Sequence, residues 1–218
     1  MKISRLVEVL RERFPGLDAP SLAKVLLLAA ERGKVSYEEA VGDELLLFAE
    51  EERLLLPVRT SRGLAWEDRV LVLASGEEYE MPTVVRHLVL RAAEAGDWDP
   101  EYAVRRYLEE IGEAEVERVL DLLHRVLEGG RRTGRVSAEQ LRRYAEEVGL
   151  SSSLSRLIAE LKGGGVISPC LRTSLPSGPL QYEINPSLYR EPRDFNRASR
   201  WRGPVRPRSR RTPHPPPS

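Results

Sequence analysis

A chain of 218 residues, 41% hydrophobic and 31% charged, has the length and composition of one or two soluble globular domains. Its apolar runs, such as 25–30, are far too short to span a bilayer. The charged amphipathic start does not read as a signal peptide, so a cytoplasmic protein without membrane insertion is expected. The lone Cys170 excludes an internal disulfide and any multi-cysteine zinc site.

The formal net charge of zero conceals opposite ends. Residues 1–128 hold 17 Lys and Arg against 27 Asp and Glu, whereas 129–172 hold 8 against 4. Residues 190–218 hold nine arginines against only Glu191 and Asp194. An acidic front and a basic back imply different partners for the two ends. Much Arg, Glu, Leu and Val with few Asn and Met is a thermophile-like composition.

In chain order, the spacing predicts a helix over Ile3 to Phe14, closed by Pro15-Gly16, and a second from about Pro20 to Arg32. The stretch GKVSYEEAV follows, with Ser36 and Glu39 at capping-box spacing, so a short helix is expected there. Asp43 to Glu52 reads as a further helix. Leu54 to Val58 and Leu64 to Val72 read as strands about a turn at Ser61-Arg62-Gly63. Three connecting helices come next. They run from Met81 or Pro82 to Ala95, from Pro100 to Ile111 behind an Asp99 cap, and from Ala114 to Glu128.

At Gly134 the chain repeats itself. GRVSAEQLR echoes GKVSYEEAV one hundred and one residues on, again with a capping-box pair, Ser137 and Gln140. Leu141, Tyr144, Ala145 and Val148 give the new helix one apolar face, and Gly149 ends it. Ser151 or Ser152 then caps a helix with Leu154, Leu157, Ile158 and Leu161 inward. Gly163, Gly164 and Gly165 stop that helix. Val166-Ile167, Cys170 to Thr173 and Leu180 to Ile184 read as strands, the last two around a Pro176-Ser177-Gly178 turn.

Two helices joined this tightly and followed by a hairpin have the order of a winged helix-turn-helix. Within it, GLSSSLSRLIAELKGGGVIS, residues 149–168, resembles the recognition-helix segment of MarR-like winged-helix regulators, through its Gly-Leu-Ser turn, Ser-Arg-Leu-Ile core and Gly-Val-Ile exit. No specific family follows from it. The resemblance implies a winged-helix fold, DNA as a partner, and a homodimer built by helices outside the wing.

The expected fold is therefore mainly α with small β-hairpins, in tandem winged-helix units joined by helices. Residues 1–75 form an acidic N-terminal unit, 76–112 connecting helices and 113–189 the C-terminal winged helix-turn-helix. Residues 190–218 form a disordered Arg/Pro-rich tail. In the second unit the outward residues include Ser152, Ser153, Ser155, Arg156 and Lys162. Small hydroxyls allow close approach to double-stranded DNA, and Arg156 reaches a base edge or a phosphate. Arg142, Arg143 and Arg172 add backbone contacts, and Arg200, Trp201 and Arg202 in the tail neutralise phosphates and stack on bases. On this reading Arg156→Ala with Arg172→Ala weakens DNA binding without changing thermal stability. The bland alternatives are an ordinary solvated helix face and a solubilising tail.

The helix at the corresponding place in the first unit, DELLLFAEEE, would repel phosphates, and reads as a surface for packing or for a protein partner, with Leu47 or Phe48 partly exposed. No enzyme is expected. His87, His124 and His214 lie far apart, no nucleophile elbow or Walker loop occurs, and the triple glycine follows a helix instead of opening one. Asp97, Asp99 and Glu101 are better read as a helix start than as a cation site. No metal or cofactor is expected. The leading function is DNA binding in transcription regulation. The alternative is a tandem winged-helix adaptor for protein-protein interaction in a chromosome-, polymerase- or membrane-remodelling-associated complex.

Overall fold

A computed structural model describes residues 2–40, 42–58, 65–170 and 180–189. Among them are eight α-helices, α1 (Lys2–Arg13), α2 (Ala19–Arg32), α3 (Asp43–Glu51), α4 (Thr83–Ala95), α5 (Pro100–Glu110), α6 (Val116–Gly130), α7 (Ala138–Glu147) and α8 (Leu154–Gly163). Six short strands complete the fold, β1 (Lys34–Ser36), β2 (Leu56–Pro57), β3 (Glu78–Glu80), β4 (Arg135–Ser137), β5 (Ile167–Cys170) and β6 (Gln181–Ile184). The expected turns at 61–63 and 176–178, and the tail from 190 onward, lie outside the described residues.

Local signals place several of the helix ends. Asp18 and Asp99 each accept a backbone N–H at the start of α2 and α5, where a proline sits in the first turn. Ser137 and Gln140 make both halves of the capping box at α7. Gly149, with φ of 75°, takes the left-handed conformation that closes the α7 segment.

The six strands form two antiparallel three-stranded sheets of the same order, β1-β3-β2 and β4-β6-β5. Their registers agree in detail. Tyr79 lies between Val35 and Pro57 in the first sheet, as Tyr182 lies between Val136 and Pro169 in the second. Both prolines sit on outer strands, where a missing N–H costs no ladder bond. The repeat heard in GKVS and GRVS is thus carried into matching sheet rows.

The first copy departs from expectation in two places. No helix follows Ser36. Glu39 accepts the Ser36 N–H at 3.0 Å, but the chain only turns there before α3 begins at Asp43. Six residues do not hold both a helix and the turn needed to reverse it. The second correction concerns the strand expected over Leu64 to Val72, whose described part, residues 65–72, is not a strand. Trp66–Asp68 is a single 3-10 turn, and β2 pairs with Glu78–Glu80. Trp66 is buried and its N–H donates to Ser168 Oγ at 2.9 Å, tethering this stretch to the second sheet. The first sheet therefore takes its central strand from beyond residue 75. In the second copy, Val166-Ile167 and Cys170 do not start separate strands, since Ile167–Cys170 is one strand paired along β6. Ser151–Ser153 forms a 3-10 turn ahead of α8.

One continuous apolar core runs from Leu6 on α1 to Tyr189. The expected connecting helices belong to it: α4 packs on α1 and α2, and α5 bridges α4 to α6. Where the two copies meet, the contacts are polar and specific. Arg53, the one non-glycine residue with positive φ (54°) among those described, pairs with Glu50 and, at 3.2 Å, with Glu183 on β6. Asn185, fully buried, donates to the Arg53 carbonyl of the first copy at 3.4 Å and to the Gly165 carbonyl of its own at 2.9 Å, and accepts from the Ser187 N–H and hydroxyl.

Candidate nucleic-acid interface

The second copy brings the predicted surface residues onto α7 and α8 but gives them different freedoms. Arg142 and Arg143 are exposed on α7, beside Glu139, Gln140 and Glu146 along a shallow open groove. Arg143 lies 3.8 Å from Glu147 and 5.2 Å from the Tyr144 ring, both weak restraints on an exposed side chain. Arg142 makes no ion pair with another described residue. Carboxylates alternate with the arginines along α7, so the face is mixed rather than uniformly positive.

Ser152 and Ser155 are exposed and Ser153 is half-buried. No side chain caps the first backbone N–H groups of α8, although hydroxyls surround them. The Ser153 and Leu154 N–H groups donate instead to the Leu150 and Ser151 carbonyls, because the 3-10 turn runs straight into α8, so an anion there would meet the serine hydroxyls and the positive end of the helix dipole. Lys162 is half-buried in the last turn of α8, where a cation also complements the helix dipole. Arg172, Arg200, Trp201 and Arg202 lie outside the described residues.

Arg156 is committed elsewhere. Its Nη1 lies 2.5 Å from Glu113 Oε2 and 2.6 Å from Glu160 Oε1. The Glu113 side chain is wholly buried in the α5–α6 turn, where its other oxygen accepts the Glu115 N–H at 2.8 Å. Glu160 leaves one buried oxygen without a hydrogen bond. Both partners raise the Arg156 pKa above the ordinary guanidinium value, and the Arg156 hydrogen bond, chief among several, lowers that of Glu113. To reach DNA, Arg156 would have to abandon two carboxylates, one of them buried. Sequence reasoning missed Glu113 because it lies forty-three residues from Arg156 and no local pattern marks it.

Arg156 should therefore matter to stability, against the expectation that it is neutral to it. Glu113 has a folded pKa below its ordinary 4.5. It therefore stabilises the fold above that value, and loses the contribution as pH falls through the folded pKa. Arg156→Gln should destabilise the protein at pH 7, with the difference from wild type shrinking towards pH 3. Urea unfolding at the two pH values measures this. An equal difference at both would show that the ion pair is not its source.

His87 lies 3.0 Å from Glu110, and burial is the largest influence on it, lowering its pKa; His124 lies 3.3 Å from Glu101 on the surface. Asp99 caps α5. Among the described residues no group of three metal-ligating side chains converges, and Cys170 is buried with its thiol pKa pushed up by burial. No helix among them is long and apolar enough to cross a membrane.

Fold and surface together define a mainly helical chain with two matched three-stranded sheets and a mixed-charge helical face. A family model matches residues 4–192, and the chain belongs to that family. No curated protein and no solved structure matches it significantly.

Proposed function

We propose that the chain is a tandem winged-helix protein whose second unit, α6 to β6, binds duplex DNA, chiefly through phosphates, in the service of transcription regulation. The observation that carries this reading is the exposed surface shared by α7 and the start of α8, where Arg142 has no described ion-pair partner and Ser152 and Ser155 stand outward. Phosphates suit such a site because an exposed guanidinium, exposed hydroxyls and the positive end of the helix dipole all favour an anion. The commitment of Arg156 argues for modest sequence discrimination, since the best-placed base-reading side chain is held by carboxylates. The basic tail adds phosphate contacts beyond the fold.

Anisotropy of a labelled random-sequence duplex across a salt series tests this. Replacing both Arg142 and Lys162 by alanine should shallow the salt slope by about two, one unit for each phosphate left without its cation. An unchanged slope would remove α7 and α8 from the interface.

A second reading, an adaptor that recruits a protein through the first unit, is favoured by Leu47. It is 50% exposed on α3, between the exposed Glu44 and Glu51. Phe48 differs from it, because its ring meets Phe14 edge-on at 4.9 Å. Leu47→Glu should leave thermal stability within about 0.5 kcal/mol of wild type, the usual effect of a surface change. Phe48→Glu should cost several times more. Equal losses by chemical unfolding would make Leu47 part of the core.

A further inference from the structure

One extended run of the first copy has no strand beside it among the described residues. Past the 3-10 turn at Trp66–Asp68, Arg69 is extended (φ −88°, ψ 109°), and exposure alternates from Val70 to Ala74 as along a strand. Val70 and Val72 stand outward, 65% and 37% exposed, whereas Leu71 and Leu73 pack against the core. No described residue accepts the N–H of Val70, Leu71, Val72 or Leu73. Of their carbonyls, only that of Val72 is engaged by a described residue, the hydroxyl of buried Tyr79.

That contact fixes which edge is free. Backbone groups alternate sides along a strand, so Val72 turns its pair towards Tyr79 while Leu71 and Leu73 turn theirs away from it. A strand laid along the outer edge therefore bonds to Leu71 and Leu73.

We propose that a second copy of the chain supplies that strand, the two runs pairing antiparallel about a two-fold axis at Val72. In this register Leu71 of each copy exchanges both of its hydrogen bonds with Leu73 of the other, so the N–H and C=O of both leucines are used. Val72 faces its own counterpart as a non-hydrogen-bonded pair, where side chains approach most closely, and Val70 faces exposed Ala74. A shift by one residue would set outward valines against inward leucines. Centring on Leu71 would call on the Arg69 N–H, which already donates to the Trp66 carbonyl. The run also suits its own copy in charge. No charged side chain lies between Arg69 and Glu77, Arg69 is paired with Glu80, and the whole chain has zero formal net charge, so like charges do not hold two copies apart. A strand this short covers less than the ~1,200 Å² of stable complexes, so the dimer forms as concentration rises and dissociates on dilution. The surface differs from the helices through which the winged-helix resemblance implies a dimer, and it is independent of the DNA reading.

Sedimentation equilibrium of the full chain from micromolar to millimolar concentration tests this, alongside amide hydrogen exchange. The apparent mass should rise from one chain towards two, and the Leu71 and Leu73 amides should exchange more slowly as it does. Val72→Lys should hold the mass at one chain, because two cations would face each other across the axis, and Val72→Glu should do the same. Mixed in equal amounts, and with both folded by circular dichroism, the two variants should pair with each other, since opposite charges then meet. The proposal is overturned if the wild type stays at one chain throughout, the result expected if the run takes a strand of a different protein. It is overturned too if Val72→Lys still doubles the mass, which would put the dimer on another surface, or if the mixed variants remain apart.

Discussion

Asn185→Ala should lower the unfolding free energy by about 3 kcal/mol, because it strands buried backbone groups at the junction of the two copies. The side chain is fully buried and binds in two directions. Its amide donates to Gly165 at the end of α8, and its carbonyl oxygen takes both donors of Ser187. Alanine leaves the Gly165 carbonyl and the Ser187 N–H without these partners and offers no replacement. For a chain of this size the loss corresponds to roughly 10 °C in Tm. Asn185→Asp separates the two directions, since it keeps an acceptor for Ser187 but sets oxygen against the Gly165 carbonyl. It should also destabilise strongly at neutral pH. A loss under about 1 kcal/mol for alanine would mean that water replaces the side chain and that the junction is looser than its hydrogen bonds imply.

Gly165→Ala should cost about 3 kcal/mol as well, from two sources that act together. The residue has φ of +79°, which a β-carbon disfavours, and the added carbon would lie 2.5 Å from Pro82 Cβ at the start of α4. Relief would move α4, whose Val84 N–H donates to the neighbouring Gly164 carbonyl at 3.1 Å. The disturbance therefore crosses from the second copy into the first. Gly163→Ala is the control, as its added carbon would meet only the Tyr107 hydroxyl at 3.3 Å and Gly163 is exposed. Calorimetry of Gly165→Ala should show one transition at lower temperature. Two resolved transitions would mean that the copies unfold separately despite their shared core.

Local chemistry was what the sequence made legible. The caps at Asp99 and Ser137 and the break at Gly149 depend on residues within one turn of each other, and the structure has them as read. The echo of GKVS in GRVS held at the level of strands, since both Val-Tyr rows are formed. It misled at Ser36, where one half of the capping-box pattern forms without a helix because α3 starts too soon. Glu78–Glu80 was missed as a strand because three residues of alternating charge and tyrosine carry little signal beside the longer apolar run Val70 to Leu73. The pairing of that strand is decided by contacts more than twenty residues away. The same reason hid the hold of Glu113 on Arg156, and with it the difference between an arginine that is merely outward and one that is available.

The most direct test of the DNA reading is the affinity of the full chain and of a version ending at Tyr189 for a random-sequence duplex, measured from low to moderate salt. The reading predicts that both bind, that both lose affinity steeply as salt rises, and that truncation makes the slope shallower by the phosphates the tail neutralises. Binding abolished by truncation would leave no site on α7 and α8, and no binding by either form would contradict the DNA reading outright.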